Sequence, residues 1–149
     1  MARIEFQLNI QSPIEKVYEA SQDYSVRYHW DPFPENIVLL HGATNIQKGV
    51  QVLVVAKNGL KMEVKFVQVL SPTTAVITMT KGPFFLKSFS GSWIFKSLSV
   101  RETNARFVYS IKTKWWALPW FSEFIAGWYF SKVIKARLSG LKIYCEANI

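Results

Sequence analysis

Trp120-Phe121-Ser122-Glu123-Phe124-Ile125-Ala126-Gly127-Trp128-Tyr129-Phe130-Ser131-Lys132-Val133-Ile134-Lys135-Ala136-Arg137-Leu138-Ser139-Gly140-Leu141-Lys142-Ile143-Tyr144-Cys145 is the stretch whose reading decides the fold. Phe121, Phe124, Ile125, Trp128, Ile134, Leu138, Leu141 and Cys145 are read as one apolar stripe at helical spacing. Pro119 suits a first helical turn, Glu123 lies near the positive end of the helix dipole, and Lys132, Lys135, Arg137 and Lys142 gather toward the negative end. Such a helix would be roughly 40 Å long at ~1.5 Å per residue, enough to cross the whole domain. The rest of the chain must then offer it a matching apolar surface.

Residues 2–11 alternate, with Ile4, Phe6, Leu8 and Ile10 on one side, as in a half-buried strand. Ser12-Pro13-Ile14-Glu15 combines an N-cap serine, a proline at the first helical position and a glutamate three residues after the cap, the pattern of a capping box. A short helix through Val17, Tyr18 and Ala20 follows, and a second runs from Asp23 to Trp30, where Asp31-Pro32 and Pro34 stop it. Strand patterns then occupy Ile37–His41, Val50–Ala56, Leu60–Leu70, Ala75–Thr80, Leu86–Leu98 and Ala105–Trp115. Asn58-Gly59 gives a two-residue hairpin signal between the second and third of these. In Lys61–Phe66 and Arg106–Lys114, charged and polar residues alternate with apolar ones, so the sheet has one basic face and one apolar face. The apolar face is the natural partner of the terminal helix.

A chain of 149 residues with 50% hydrophobic content supports one core, so residues 1–149 read as a single domain. Six Trp, six Tyr and eleven Phe suggest either a large core or an aromatic-lined pocket. The net charge of +8 is concentrated between Lys48 and Lys114, where eleven Lys or Arg stand against Glu63 and Glu102. Met1-Ala2-Arg3-Ile4-Glu5-Phe6 reads as a strand, not as the apolar core of a signal peptide, which leads to the expectation of a cytoplasmic protein. The most apolar window, Trp115 to Phe130, contains Pro119 and Glu123 and is too short to span a bilayer. One cysteine excludes an intramolecular disulfide.

The order strand, two short helices, meander, long helix resembles the START-related superfamily, with its birch-pollen-allergen-like proteins, lipid-transfer domains and polyketide cyclase/dehydrase group. The resemblance rests on the opening strand with Ser12-Pro13-Ile14-Glu15-Lys16-Val17-Tyr18, on Asp23 through His29-Trp30-Asp31-Pro32, on Asn58-Gly59, on Gly91-Ser92-Trp93-Ile94-Phe95 and on Leu138–Glu146. It covers essentially the whole chain. It implies an α+β helix-grip fold, in which a curved antiparallel sheet of about seven strands grips the C-terminal helix around an apolar cavity. Proteins of this kind bind lipids, sterols, polyketides or other hydrophobic molecules, and some are cyclases or hydrolases. Thr44-Asn45-Ile46-Gln47-Lys48-Gly49 departs from the glycine-rich loop of the plant allergen branch.

The expected cavity wall is Trp30, Phe66, Phe95, Phe107, Tyr109, Phe124 and Trp128. Tyr109 shares the inward register of Phe107 and Ile111, so its hydroxyl needs an internal partner. Thr78 and Thr113 are weaker inward polar candidates. His29 and His41, with Asp31 and Glu35 nearby, match no metal-ligand spacing, and Cys145 on the helix stripe reads as a small hydrophobe. No nucleophile elbow, phosphate-binding glycine run or carboxylate pair is present, so no conventional catalytic residue, metal or cofactor is expected.

Gly127 and Gly140 interrupt the helix at a cost of roughly 1 kcal/mol each, which room for a ligand or close helix–sheet contact would explain. The apolar turns Gly82-Pro83-Phe84-Phe85-Leu86 and Trp115–Trp120 would make a gate or a membrane-touching lip, or lie buried under the helix end. The leading reading is a non-enzymatic binder or carrier of a hydrophobic small molecule. The alternatives are a cyclase or hydrolase using Tyr109 or His29 for proton transfer, and a basic sheet face docked on anionic membrane or nucleic acid. Sequence-specific nucleic-acid binding is not expected.

Overall fold

The computed structural model describes residues 2–31, 34–43, 46–56, 59, 61–83, 86–114 and 119–147; within these, the side chains of 2, 24, 25, 28, 34–36, 56 and 119–126 are not described. The order is β1 (Ala2–Ile10), α1 (Ile14–Gln22), α2 (Tyr24–Trp30), β2 (Pro34–Leu39), β3 (Gln51–Ala56), β4 (Lys61–Leu70), β5 (Thr74–Lys81), β6 (Leu86–Ser99), β7 (Glu102–Thr113) and α3 (Pro119–Ala147). All strands join one antiparallel sheet in the order β1-β7-β6-β5-β4-β3-β2. The first strand thus pairs with the last, and the meander runs outward from it.

The strand period of two separates the faces. Register pairs Ile4 with Tyr109, Phe6 with Phe107, Trp93 with Phe107, Ala75 with Trp93, Phe66 with Ile77, Val52 with Val64 and Ile37 with Val54, so one apolar row crosses the entire sheet. Arg106, Ser110 and Lys112 point the other way. Thr78, expected inward, pairs with Lys65 and Ser90 on the outer face, because Ala75, Ile77 and Met79 take the inward positions of β5. Thr113 is buried on the inner side.

Helix α3 lies along β1 and β7 on the inner face. Its C-terminal end is fixed where Glu146 Oε2 accepts from the Gln11 backbone N–H at 2.8 Å and Lys142 Nζ donates to the Asn9 carbonyl at 2.7 Å. The buried stripe is Phe130, Ile134, Leu138, Leu141 and Cys145, with Arg137 among them. Trp128 is not part of it. Six residues separate Trp128 from Ile134, about 240° around the axis, whereas Phe130 is one helical step away from Ile134. Phe121, Phe124 and Ile125 fall among the undescribed side chains.

Two local expectations change. Helix α1 begins at Ile14 with Pro13 as its N-cap residue, φ −61° and ψ 148°, and no side chain caps it. Ser12 Oγ is buried and has no hydrogen-bond partner among the described residues, and no side chain caps α1, so the capping box does not form. A fixed proline φ and the Lys16 and Val17 amides donating to the Pro13 carbonyl start the helix instead. Strands β3 and β4 do pair as neighbours, with Val55 opposite Lys61 as the last pair and Gly59 at φ 89° between them. Asn58, the other residue of the expected two-residue turn, lies outside the described residues.

Candidate ligand-binding site

The inner face over β6 and β7 is an aromatic platform. Trp93 stacks on Phe107 with ring centroids 3.7 Å apart, Phe95 lies 6.1 Å from Trp93, and Trp30 meets Trp93 edge-on at 6.0 Å. The Trp30 indole donates to the Ala20 carbonyl at 3.0 Å, tying α2 to α1. Of the seven expected wall residues, Trp30, Phe66, Phe95, Phe107 and Tyr109 are brought together in this core. The Phe124 side chain lies outside the described residues. Trp128 is 59% exposed under Lys132, whose Nζ sits 4.1 Å from its ring centroid, so it does not line the interior.

Charged groups that the sequence reading left out occupy the centre of this platform. Arg27 Nε and Arg137 Nε donate to the same Asp31 Oδ2, at 2.8 and 3.0 Å, and all three side chains are buried. Arg27 Nη1 also donates to the Ser21 carbonyl at 3.1 Å. Both guanidiniums lie on rings, Arg27 5.3 Å from Trp30 and Arg137 4.9 Å from Phe107. Arg137 Nη1 donates to the Tyr109 hydroxyl at 2.5 Å, which is the internal partner the phenol required. The sequence carries the signals: Arg27 and Asp31 stand four apart across the end of α2, and Arg137 lies beside Leu138 inside the apolar stripe. From sequence, Asp31 looks like a helix stop beside His29, and Arg137 like a charge matched to the helix dipole.

Electrostatics fix the protonation states. Burial pushes the Tyr109 phenol above its ordinary value, with Arg137 opposing that shift. The phenol is therefore neutral at physiological pH. It accepts from Arg137, and among the described residues its own proton has no acceptor. Desolvation works against the charge on Arg137, but Asp31 and Tyr109 together more than offset it and keep the guanidinium protonated. Cys145 is buried, and desolvation with Glu146 beside it pushes its thiol up to about 12, which makes it inert as a nucleophile. His29 is exposed against Tyr144, with ring centroids 6.4 Å apart, and His41 is exposed beside Gln51, so neither enters the core. No group of three metal-binding side chains occurs among the described residues.

From β2 to β5 the same inner face changes character. Val52, Val64, Phe66 and Ala75 are sealed, but the inward residues Ile37, Leu39, Val54, Met62, Ile77 and Met79 are only half-buried. This apolar strip meets the polar cluster at Gly91. A Cβ at Gly91 would lie 3.3 Å from Tyr109 Cε1 and 3.5 Å from Ile77 Cγ1, so the missing side chain lets the phenol ring and Ile77 face one another. A linear apolar surface bordered by the ring of a buried phenol can take a hydrophobic molecule.

A curved antiparallel sheet gripping one long terminal helix, with an aromatic inner face, defines a helix-grip protein of the START-related class. The chain belongs to the family described as polyketide cyclase / dehydrase and lipid transport, which matches residues 10–136. It is similar in structure to a START superfamily protein from Mycobacterium smegmatis, with TM-score 0.79, 9% identity and 99% of both chains covered. It is also similar to norcoclaurine synthase of Thalictrum flavum, with TM-score 0.73, 10% identity, and 99% of this chain and 95% of that one covered. The di-domain ARO/CYC BexL of the BE-7585A biosynthetic pathway aligns with TM-score 0.70 and 14% identity over 95% of this chain and 45% of its own. At such identities the likeness carries the fold alone. No curated protein matches the sequence. Among the described residues no helix is long and apolar enough to cross a membrane.

Proposed function

We propose that this protein binds a hydrophobic small molecule of lipid, sterol or polyketide type against the inner face of β2–β5. The observation that carries this reading is the contrast along one face: sealed over β6 and β7, yet half-buried at Ile37, Leu39, Val54, Met62, Ile77 and Met79. Leaving six apolar side chains partly in water forgoes a fraction of the roughly 1.5 to 3 kcal/mol that full burial of each would give, which an apolar ligand would supply. The ligand's polar end is set against the Tyr109 hydroxyl, which has a proton to donate and is oriented by Arg137.

The test is native mass spectrometry of protein purified from its own cytosol, with displacement of a fluorescent fatty acid from the wild type and from Ile77→Trp and Met62→Trp. Retained lipid-like mass in the wild type and at least tenfold weaker probe binding in both variants support the reading. An empty protein that ignores the probe, or binding indifferent to both substitutions, overturns it.

A second reading is favoured by the same phenol. A neutral Tyr109 held by Arg137 could protonate or orient a carbonyl oxygen of a bound polyketide-like chain, the step a cyclase needs. Product formation from such a substrate, abolished in Tyr109→Phe while probe binding persists, would distinguish an enzyme from a carrier.

A further inference from the structure

We infer that one end of the molecule, where β5 ends, β6 begins and β7 ends, docks on an anionic lipid surface. Lys61 at the start of β4, Lys81 at the end of β5, Lys87 near the start of β6 and Lys112 near the end of β7 are all exposed. Glu63 opposes them, 3.7 Å from Lys81 Nζ. The opposite end of the sheet carries Glu15, Glu19, Glu102 and Glu146 among its own bases, so positive charge is sorted toward one tip.

Helix α3 adds the apolar part. Going backward along it, Glu146 meets Gln11, Lys142 meets Asn9 and Lys135 lies over Phe6. Trp128 is seven residues before Lys135, about 10 Å further along, and so reaches the level of Arg3, which pairs with Ser110 and lies about three strand residues before Phe6. Trp128 therefore stands at the basic tip, with Lys132 over its ring. An exposed tryptophan under a lysine suits the headgroup region, where an indole can be half in hydrocarbon and ammonium groups meet phosphate.

An exposed tryptophan beside exposed lysines fits a bilayer better than a nucleic acid, which would require stacking faces along a continuous basic groove.

The experiment is cosedimentation of the full chain with vesicles of phosphatidylcholine alone or with about one third phosphatidylserine, at low and moderate salt. Binding is expected only to the anionic vesicles, and it should weaken as salt rises. Each lysine at such a surface contributes about fivefold, so Lys87→Glu/Lys112→Glu should weaken binding at least about twentyfold. The charge-matched pair Lys96→Glu/Arg101→Glu at the opposite end should leave it nearly unchanged. Trp128→Ala, which favours the helix, should weaken binding without altering its salt dependence. No binding to anionic vesicles at low salt, equal loss in both double variants, or tighter binding to single-stranded RNA than to vesicles would each overturn the proposal. These substitutions lie away from the inner face of β2–β5, so the outcome is independent of whether that face holds a ligand.

Discussion

Arg137 and Asp31 come from segments 106 residues apart, and Arg137 brings both Nε and Nη2 to 3.0 Å from the Asp31 Oδ2 atom. The pair joins the last helix to the end of α2, and Arg27 reaches the same oxygen from within α2. Asp31→Asn keeps the shape of the side chain but removes the charge opposing two buried guanidiniums. Removing one partner of a buried ion pair costs about 3 to 5 kcal/mol. Denaturant unfolding of Asp31→Asn should show a loss of that order, while Glu63→Gln, which breaks the exposed pair with Lys81, should change stability by less than about 1 kcal/mol. Equal effects would mean that the buried cluster is not structural.

Tyr109→Phe separates recognition from packing. The ring still fills the space between Phe89, Phe107 and Phe130, but the hydrogen bond from Arg137 Nη1 is lost. Losing a hydrogen bond made by a charged group costs about 1.5 to 3 kcal/mol. If the hydroxyl also orients the ligand, Tyr109→Phe should weaken a ligand with a polar end more than a hydrocarbon of the same length. Comparing the two probes in one titration checks this.

Much of the architecture was legible because it follows from simple periods. Alternation in β1, β4 and β7 set the sheet faces, and Phe107, Tyr109 and Ile111 were placed inward correctly for that reason. Helical spacing located α3 but not its whole buried face, because Trp128 was joined to Ile134 across a six-residue gap while Phe130 was passed over. The polar heart of the site was less visible. Arg27, Asp31 and Arg137 look like ordinary surface charges one at a time, and only tertiary packing shows that they share an oxygen atom. The half-covered strip on β2–β5 could not be read either, since alternation gives direction and not depth.

Alkaline stability should follow Cys145. Its thiol titrates at about 12 in the folded protein and at the ordinary 9.0 when unfolded, so the stabilising neutral form is fully present below pH 9 and its contribution is lost as pH rises toward 12. Tyr109 and Tyr18, both raised by burial, add losses above pH 10. The midpoint of urea unfolding should therefore fall steadily above pH 9, and Cys145→Ala should flatten the first part of that fall. A variant that tracks the wild type from pH 9 to 10 would show that the thiol is not responsible.

Glycines give opposite outcomes at two positions. Gly127 lies inside α3 with nothing within 4 Å of a built Cβ, so Gly127→Ala should stabilise the helix by about 0.5 to 1 kcal/mol. At Gly91 the new methyl would meet Tyr109 Cε1 at 3.3 Å and Ile77 Cγ1 at 3.5 Å, where the sheet backbone and the Arg137 bond restrain the ring. Gly91→Ala should destabilise by about 1 to 3 kcal/mol, as overpacked cores do. It should also weaken probe binding, because Ile77 and Tyr109 would be forced apart. Thermal unfolding of the two variants side by side reads the difference in sign.

Ser12 offers a test in which sequence pattern and structure demand opposite results. As the cap of a capping box, Ser12 would lose roughly 1 kcal/mol on mutation to alanine. In the structure Pro13 occupies the N-cap, and Ser12 Oγ is buried without a partner among the described residues. Removing an unsatisfied buried hydroxyl relieves a desolvation cost instead of breaking a bond. The Ser12 carbonyl still accepts from the Thr103 hydroxyl at 2.8 Å, a contact that alanine preserves. Ser12→Ala should therefore be neutral or stabilising by up to about 1 kcal/mol, whereas Thr103→Val, which removes the donor to that carbonyl, should destabilise. A loss near 1 kcal/mol in Ser12→Ala would restore the capping box and move the start of α1 back by one residue.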